Sequence, residues 1–303
     1  MILLKKIEHN FWVFLVLAVG LGFVYPTYFS QFEGFVIYIL MVIMGFLFLK
    51  VDVFDILTHI KKPFFLLYIS LFHLLILPVI TYFAFYFLDP QTRMAFVLLA
   101  ALPTGVSSAV FTDIMKAKTS LTLTMVIISN LLAAVTIPFV FFVLYDQSFS
   151  LDYSGMFNKL LVLILIPFVI AKIIKRLFFR ELVRKLQGSY NMIIILLLSF
   201  MIMITVSFQA TYLKTNFASL ALTLAYLFLA FFIFHIVGYF AAFWHKKGEK
   251  IAISNSMMIM NNILGIVIAI AFFNTHVLMI VTLSLIPWNL MIIIKHFYKR
   301  YLP

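Results

Sequence analysis

Residues 102–113 read "LPTGVSSAVFTD", from Leu102 to Asp113, and they interrupt a long run of Phe, Leu, Ile, Met and Val. Pro103 has no amide to donate and its ring clashes with the preceding turn, while Gly105 tolerates an unwound backbone. The stretch therefore predicts a helix broken near residues 103–106. Thr104, Ser107, Ser108 and Thr112 add hydroxyls beside the break. In hydrocarbon an unsatisfied backbone group is costly, so such a segment must line a protein cavity or bind something. The oxygens suit a hard monovalent cation, and a half-helix N-terminus suits a carboxylate. The plainer alternative is a kinked helix whose hydroxyls bond back to carbonyls one turn away.

The rest of the chain defines the solvent. Of its 303 residues 65% are hydrophobic and 11% charged, too little polar surface to cover a soluble globule of that size. The composition predicts an all-α polytopic membrane protein. About 20 apolar residues cross the hydrocarbon core as a helix. On that measure ten spans are expected, at 11–26, 32–49, 64–88, 94–115, 119–145, 156–174, 190–208, 217–243, 251–273 and 276–296. Lys and Arg test the count independently: with ten crossings all but Arg93, Lys159 and Lys214 of the 22 fall on one side. That bias predicts the cytoplasmic membrane with both termini in the cytoplasm. The net charge of +12 is then topology and contact with anionic lipid, not a nucleic-acid footprint. Met1 to Asn10 lead straight into a span with no small-residue cleavage signal, so no removable signal peptide is expected.

The polar stretch "YDQSFSLDYSG" and the basic connection from Lys172 to Lys185 bracket a division near residue 150. Residues 1–150 and 151–303 are expected to be two inverted five-helix repeats, since an odd number of crossings starts the second half from the opposite face. A weak internal echo accompanies this: at one common offset Pro138 falls on Pro287, and Ser107 on Ser256. It sets the opening stretch opposite "SNSMMIMNN", Ser254 to Asn262, predicting a second break near 254–265. Paired interruptions in corresponding places of two halves point to a transporter's binding site. Ser254, Asn255, Ser256, Asn261 and Asn262 bring amides and hydroxyls there but no proline, and packing glue between helices is the competing reading. The span over 119–145 adds Thr122, Ser129 and Asn130, with Thr122, Val126 and Ser129 on one face. His73, five residues before Pro78, is an intramembrane ionisable residue that could take a proton or give a neutral nitrogen to a cation; a structural histidine is the alternative. His235 is read as structural, and Asp113 as a solvated partner of Lys116 and Lys118.

"LMVIMGFLFLKVDVFDILTHIKKP", "LFHLLILPVITYFAF" and "LDPQTRMAFVLLAALPTGVSSAVFTDIMKAKTSLTLTMVIISNLLAAVTIP" together resemble, in order and spacing, the bile acid:sodium symporter family. "EKIAISNSMMIMNNILGI" resembles that family's ninth-span signature. The resemblance implies a panel domain and a core domain, with helices four and nine broken and crossing at the site. It also implies alternating access for organic anions, from bile salts to small carboxylates, usually driven by sodium. Ser108 and Thr122 match hydroxyl ligands for sodium, but a ligand asparagine falls on Ala109, a ligand threonine on Val126, and a glutamine on His73. The family's ninth-span glutamate falls on Met257 in one register and on Ser254 in the other. Neither supplies a carboxylate, so an ion here would rely on neutral oxygens.

The expected function is therefore secondary transport of a small organic anion, by cation-coupled symport or by proton-coupled or uncoupled transport on the same fold. A channel is the alternative from another class. An arsenite carrier would want a cysteine, and the chain has none. No paired acids, metal set or nucleophile with its base stands at membrane depth, so an enzyme is not expected, nor any cofactor besides sodium as the coupling ion. The sequence is silent on oligomeric state.

Overall fold

The computed structural model describes residues 11–50, 63–105, 107–145, 151–177, 180–215, 217–298 and 301–302. The N-terminal Met1 to Asn10, Lys61 and Lys62, Val106 and residues 146–150 of the polar stretch lie outside the described residues. Apart from the short turns Pro26–Ser30 and Glu33–Phe35, the described helices are α1 (Phe11–Val24), α2 (Val36–Lys50), α3 (Pro63–Ala84), α4 (Pro90–Ala101), α5 (Ser107–Ile114), α6 (Thr119–Tyr145), α7 (Tyr153–Leu177) and α8 (Arg180–Thr215). They continue as α9 (Phe217–Phe240), α10 (Lys247–Met258), α11 (Asn262–Phe272), α12 (Thr275–Leu283) and α13 (Leu285–Tyr298). No strand occurs among the described residues. Four of these helices, over Pro63–Ala84, Thr119–Tyr145, Tyr153–Arg176 and Ala221–Phe240, are long and apolar enough to cross a membrane.

The chain is an all-α membrane protein, and its exposed faces say so directly. On α7, Val162, Leu165, Ile166, Val169, Ile170 and Ile173 are exposed at helical spacing, an apolar stripe that only lipid or another apolar surface would cover.

Two compact units divide the chain. The first comprises Met1–Val53 and Leu161–Phe217, the second Phe54–Leu160 and Ala218–Pro303. In the first, α8 packs along α1 and α2. Gly22 makes the α1 contact possible, because a Cβ there would stand 2.5 Å from the Met203 carbonyl oxygen. In the second unit α6 packs against α3, α5 and α10, and α4 against α3 and α12.

The second unit buries two of its helices almost completely. Every residue of α4 from Met94 to Ala101 is buried, and so is all of α10 from Ile251 to Met258 despite its Ser, Asn and Ser. The start of α4 is set locally: Asp89 Oδ1 accepts from the Gln91 and Thr92 amides at 3.1 and 2.9 Å, with Pro90 in the first turn. Burial raises the Asp89 carboxyl, but hydrogen bonds from Thr92 and Gln91, with His276 nearby, hold it below the usual range. In α3 the turn Phe72–Ile76 is widened to π geometry just ahead of Pro78. The wider turn accommodates the ring and the missing amide.

Candidate functional site

The two polar stretches meet inside the second unit. Leu102 (φ −66, ψ 140) takes the chain out of α4 into an extended segment. Ile259 (φ −101, ψ 80) and Asn261 (φ −80, ψ 75) do the same between α10 and α11. The two segments pair antiparallel at Thr104 and Met260. The Gly105 amide donates to the Ile259 carbonyl at 2.8 Å, and the Asn261 amide to the Pro103 carbonyl at 2.7 Å. Each break thus supplies the partners that the other lacks. Gly105 is required at this crossing, because a Cβ there would lie 2.6 Å from the Met260 carbonyl oxygen.

α6 docks the crossing from one side. Thr104 donates its amide to Ser129 Oγ at 3.0 Å, and its carbonyl accepts from Asn130 Nδ2 at 3.0 Å. Thr104 Oγ1 donates to the Ser256 carbonyl at 3.0 Å, while the Ser256 hydroxyl bonds back to the Ala252 carbonyl at 2.9 Å. Asn130 Oδ1 accepts from Asn261 Nδ2 at 3.1 Å, and Asn261 Oδ1 accepts the Leu264 amide at 3.3 Å, capping α11.

A second cluster centres on Thr112. Its hydroxyl donates to the Ser108 carbonyl at 2.7 Å and accepts from Thr122 Oγ1 at 3.1 Å and Asn255 Nδ2 at 3.0 Å. Ser108 Oγ and Asn255 Oδ1 are buried without a hydrogen-bond partner. These unmet oxygens, with Thr122 beside them, are the chemistry a desolvated monovalent cation needs. Among the described residues no three His, Cys, Asp or Glu side chains converge. Asn262 donates to Ser284 Oγ at 3.3 Å and keeps Oδ1 unpartnered, and Ser107 opens α5, half-buried. The N-termini of α5 and α11 both fall at the crossing and bring positive partial charge to it.

His73 is fully buried in the π turn of α3, which packs against α4 and α6, and neither ring nitrogen has a hydrogen-bond partner. Ser254 departs from the rest: its hydroxyl faces α9 and α13, bonded to His235 and Lys295, and it is not part of the crossing. Asp113 is exposed and accepts from Thr119 Oγ1 at 3.4 Å, whereas Lys118 pairs with Glu249 at 2.5 Å in place of the expected Asp113. Sequence reasoning also missed Lys295, counted with Lys299 and Arg300 among the basic residues of one side and here completely buried. The signal was available: Trp288, Met291 and Lys295 share one helical face, and all three are buried.

A buried, polar crossing of two interrupted helices, carried by a helical scaffold with apolar outer faces, defines an all-α membrane protein with a polar interior. The model of the Sodium Bile acid symporter family matches residues 37–216, and the chain belongs to that family of transporters. The matched segment contains the break at Pro103 and ends ahead of the break at Ile259. The chain is 26% identical over 189 residues to the uncharacterized sodium-dependent transporter YocS of Bacillus subtilis (strain 168), covering 60% of this chain and 59% of the relative. It is 24% identical over 207 residues to the uncharacterized protein YbaS of the same organism, covering 65% of each. The chain thus spans less than two thirds of the length of these relatives.

Proposed function

We propose that the chain is a secondary-active transporter that carries a small organic anion, bile-acid-like or a small carboxylate, by alternating access together with a monovalent cation. The crossing carries this reading: paired half-helix N-termini suit a carboxylate, and the unpartnered Ser108 and Asn255 oxygens suit a cation. Sodium is supported by the description of YocS as a sodium-dependent transporter. With no carboxylate at Met257 or Ser254, the proposal assigns a single sodium seat, at Ser108 and Thr122. In the same proposal the chain makes ten crossings as two inverted repeats, 1–150 and 151–303, the first compact unit serving as panel and the second as core. The Lys and Arg bias puts both termini in the cytoplasm, and discounting the buried Lys295 leaves that bias intact. A second reading, proton-coupled or uncoupled transport, is favoured by the unpartnered ring of His73.

Uptake of radiolabelled carboxylates of graded size into proteoliposomes decides among these. Saturable uptake with counterflow, stimulated by sodium over potassium or choline, is expected. Ser108→Ala or Thr122→Ala should weaken apparent sodium affinity roughly fivefold, the equivalent of one neutral hydrogen-bond-sized contact. Flux without saturation or counterflow would identify a channel, and uptake indifferent to sodium would remove the cation seat.

A further inference from the structure

Ser254 carries more bonds than a serine inside a helix needs. Its hydroxyl donates to the His235 carbonyl at 2.7 Å, and Lys295 Nζ donates to it at 2.7 Å. His235 Nδ1 stands 2.5 Å from the same oxygen. A serine oxygen has one hydrogen and two lone pairs. With the hydrogen on the His235 carbonyl, both lone pairs are filled by Lys295 and by a proton on His235 Nδ1. That fixes the His235 tautomer and leaves Nε2 bare, and Nε2 has no hydrogen-bond partner.

All three residues are buried to 0% exposure, and Ser254 is the sole hydrogen-bond partner of Lys295 among the described residues. Among the described residues no carboxylate forms an ion pair with the lysine, and the salt bridge found there joins Lys118 to Glu249. A buried ammonium with one neutral partner is heavily penalised, and a buried ionisable group of this kind in a membrane protein is a functional-site hypothesis by default. The amine and the ammonium can both donate to Ser254. The site can therefore take or lose a proton without rebuilding its hydrogen bonds.

The other titratable and charged groups around it come from all three helices. α9 contributes Tyr239, its ring 6.5 Å from that of His235. α13 contributes Tyr298, at 5.4 Å from the same ring, with its hydroxyl unpartnered. α10 contributes Lys250, its ammonium 4.8 Å over the Tyr239 ring, and Glu249, which is held by Lys118. Gly238 lets α9 and α10 approach, because a Cβ there would sit 2.9 Å from Ser254 Cα. Ser254 also lies on the helix that runs into the crossing: two residues on, the Ser256 carbonyl holds Thr104.

We propose that Lys295, Ser254 and His235 form a proton-binding site that exchanges one proton with the aqueous phase and ties that exchange to movement of α10. On release the Lys295 N–H bond breaks, the electron pair stays on nitrogen, and the proton passes to water. The inference rests on the transporter reading, and it gives the carrier a proton-linked step separate from any sodium seat.

Two measurements on the full-length protein test it. The melting temperature in detergent, recorded from acid to alkaline pH, should vary with pH in wild type. It should lose that variation in Lys295→Met and in Lys295→Arg, whose charge does not titrate, while Lys172→Met keeps the wild-type profile. Should Lys295→Met fail to fold, Lys295→Arg and Ser254→Ala carry the same comparison. In proteoliposomes loaded with a competent carboxylate, a pH gradient of one unit should change uptake about tenfold, the factor a one-proton equilibrium allows. Identical pH profiles in wild type and all Lys295 variants would overturn the proton site and leave the carrier intact. Absence of any carboxylate flux would overturn the carrier reading, while the melting profile would still decide the proton site.

Discussion

Between Ala101 and Ser107 the chain carries its own interruption, a proline and a glycine, whereas between Met258 and Asn262 it carries neither. Both helices nevertheless stop within a few ångströms of each other. At the first break the missing Pro103 amide weakens the helix whatever surrounds it. At the second, nothing local forbids a continuous helix from Lys247 to Phe272. There the helix opens because the broken form gains partners: the Asn261 amide reaches Pro103, the Ile259 carbonyl accepts Gly105, and Asn261 caps the helix that follows. The first break thus has a covalent cause, whereas the second has no local cause and rests on the partners that the first offers it.

If the second break depends on the first, disturbing their contact should cost more than removing the proline. Gly105→Ala is expected to have the largest effect, about 3 kcal/mol, because its Cβ collides with backbone at Met260 and not with a side chain that can move. The variant should melt early in detergent and lose transport. Near-normal melting would mean that the segments are not held in contact. Asn261→Ala should follow, at about 1–2 kcal/mol, since it removes the α11 cap and the bond to Asn130 while keeping the backbone pairing. Its signature is a lower melting temperature with faster amide exchange at Leu264. Pro103→Ala should have the smallest effect, under about 1 kcal/mol, because the Pro103 carbonyl that holds Asn261 survives the substitution. A large loss in Pro103→Ala with little in Gly105→Ala would reverse the order and refute the dependence.

The same contrast explains what was readable in the chain. Apolar runs located helices such as α6, because burial in lipid is set by side-chain transfer energies and needs no tertiary partner. Thr104, Ser129 and Asn130 were legible as polar groups too costly to face lipid, and the structure brings them into one network with Asn261. Their pairing was not legible, since a hydrogen-bond partner 131 residues away leaves no periodic trace. Ser254 shared its segment with the crossing residues but points the other way, because at a helical 100° per residue neighbours face different helices. Lys295 was misread for a related reason: next to Lys299 and Arg300 it looks like part of a basic end, and only its helical face separates it from them.

The sequence alone determined the solvent, the helical class and the place of the first interruption, since composition, hydropathy and a missing amide act wherever the chain goes. Tertiary structure decided the second interruption and the company of Ser254 and Lys295. Those depend on which distant groups are left unpaired, and a buried polar atom accepts whichever partner the packed helices bring to it.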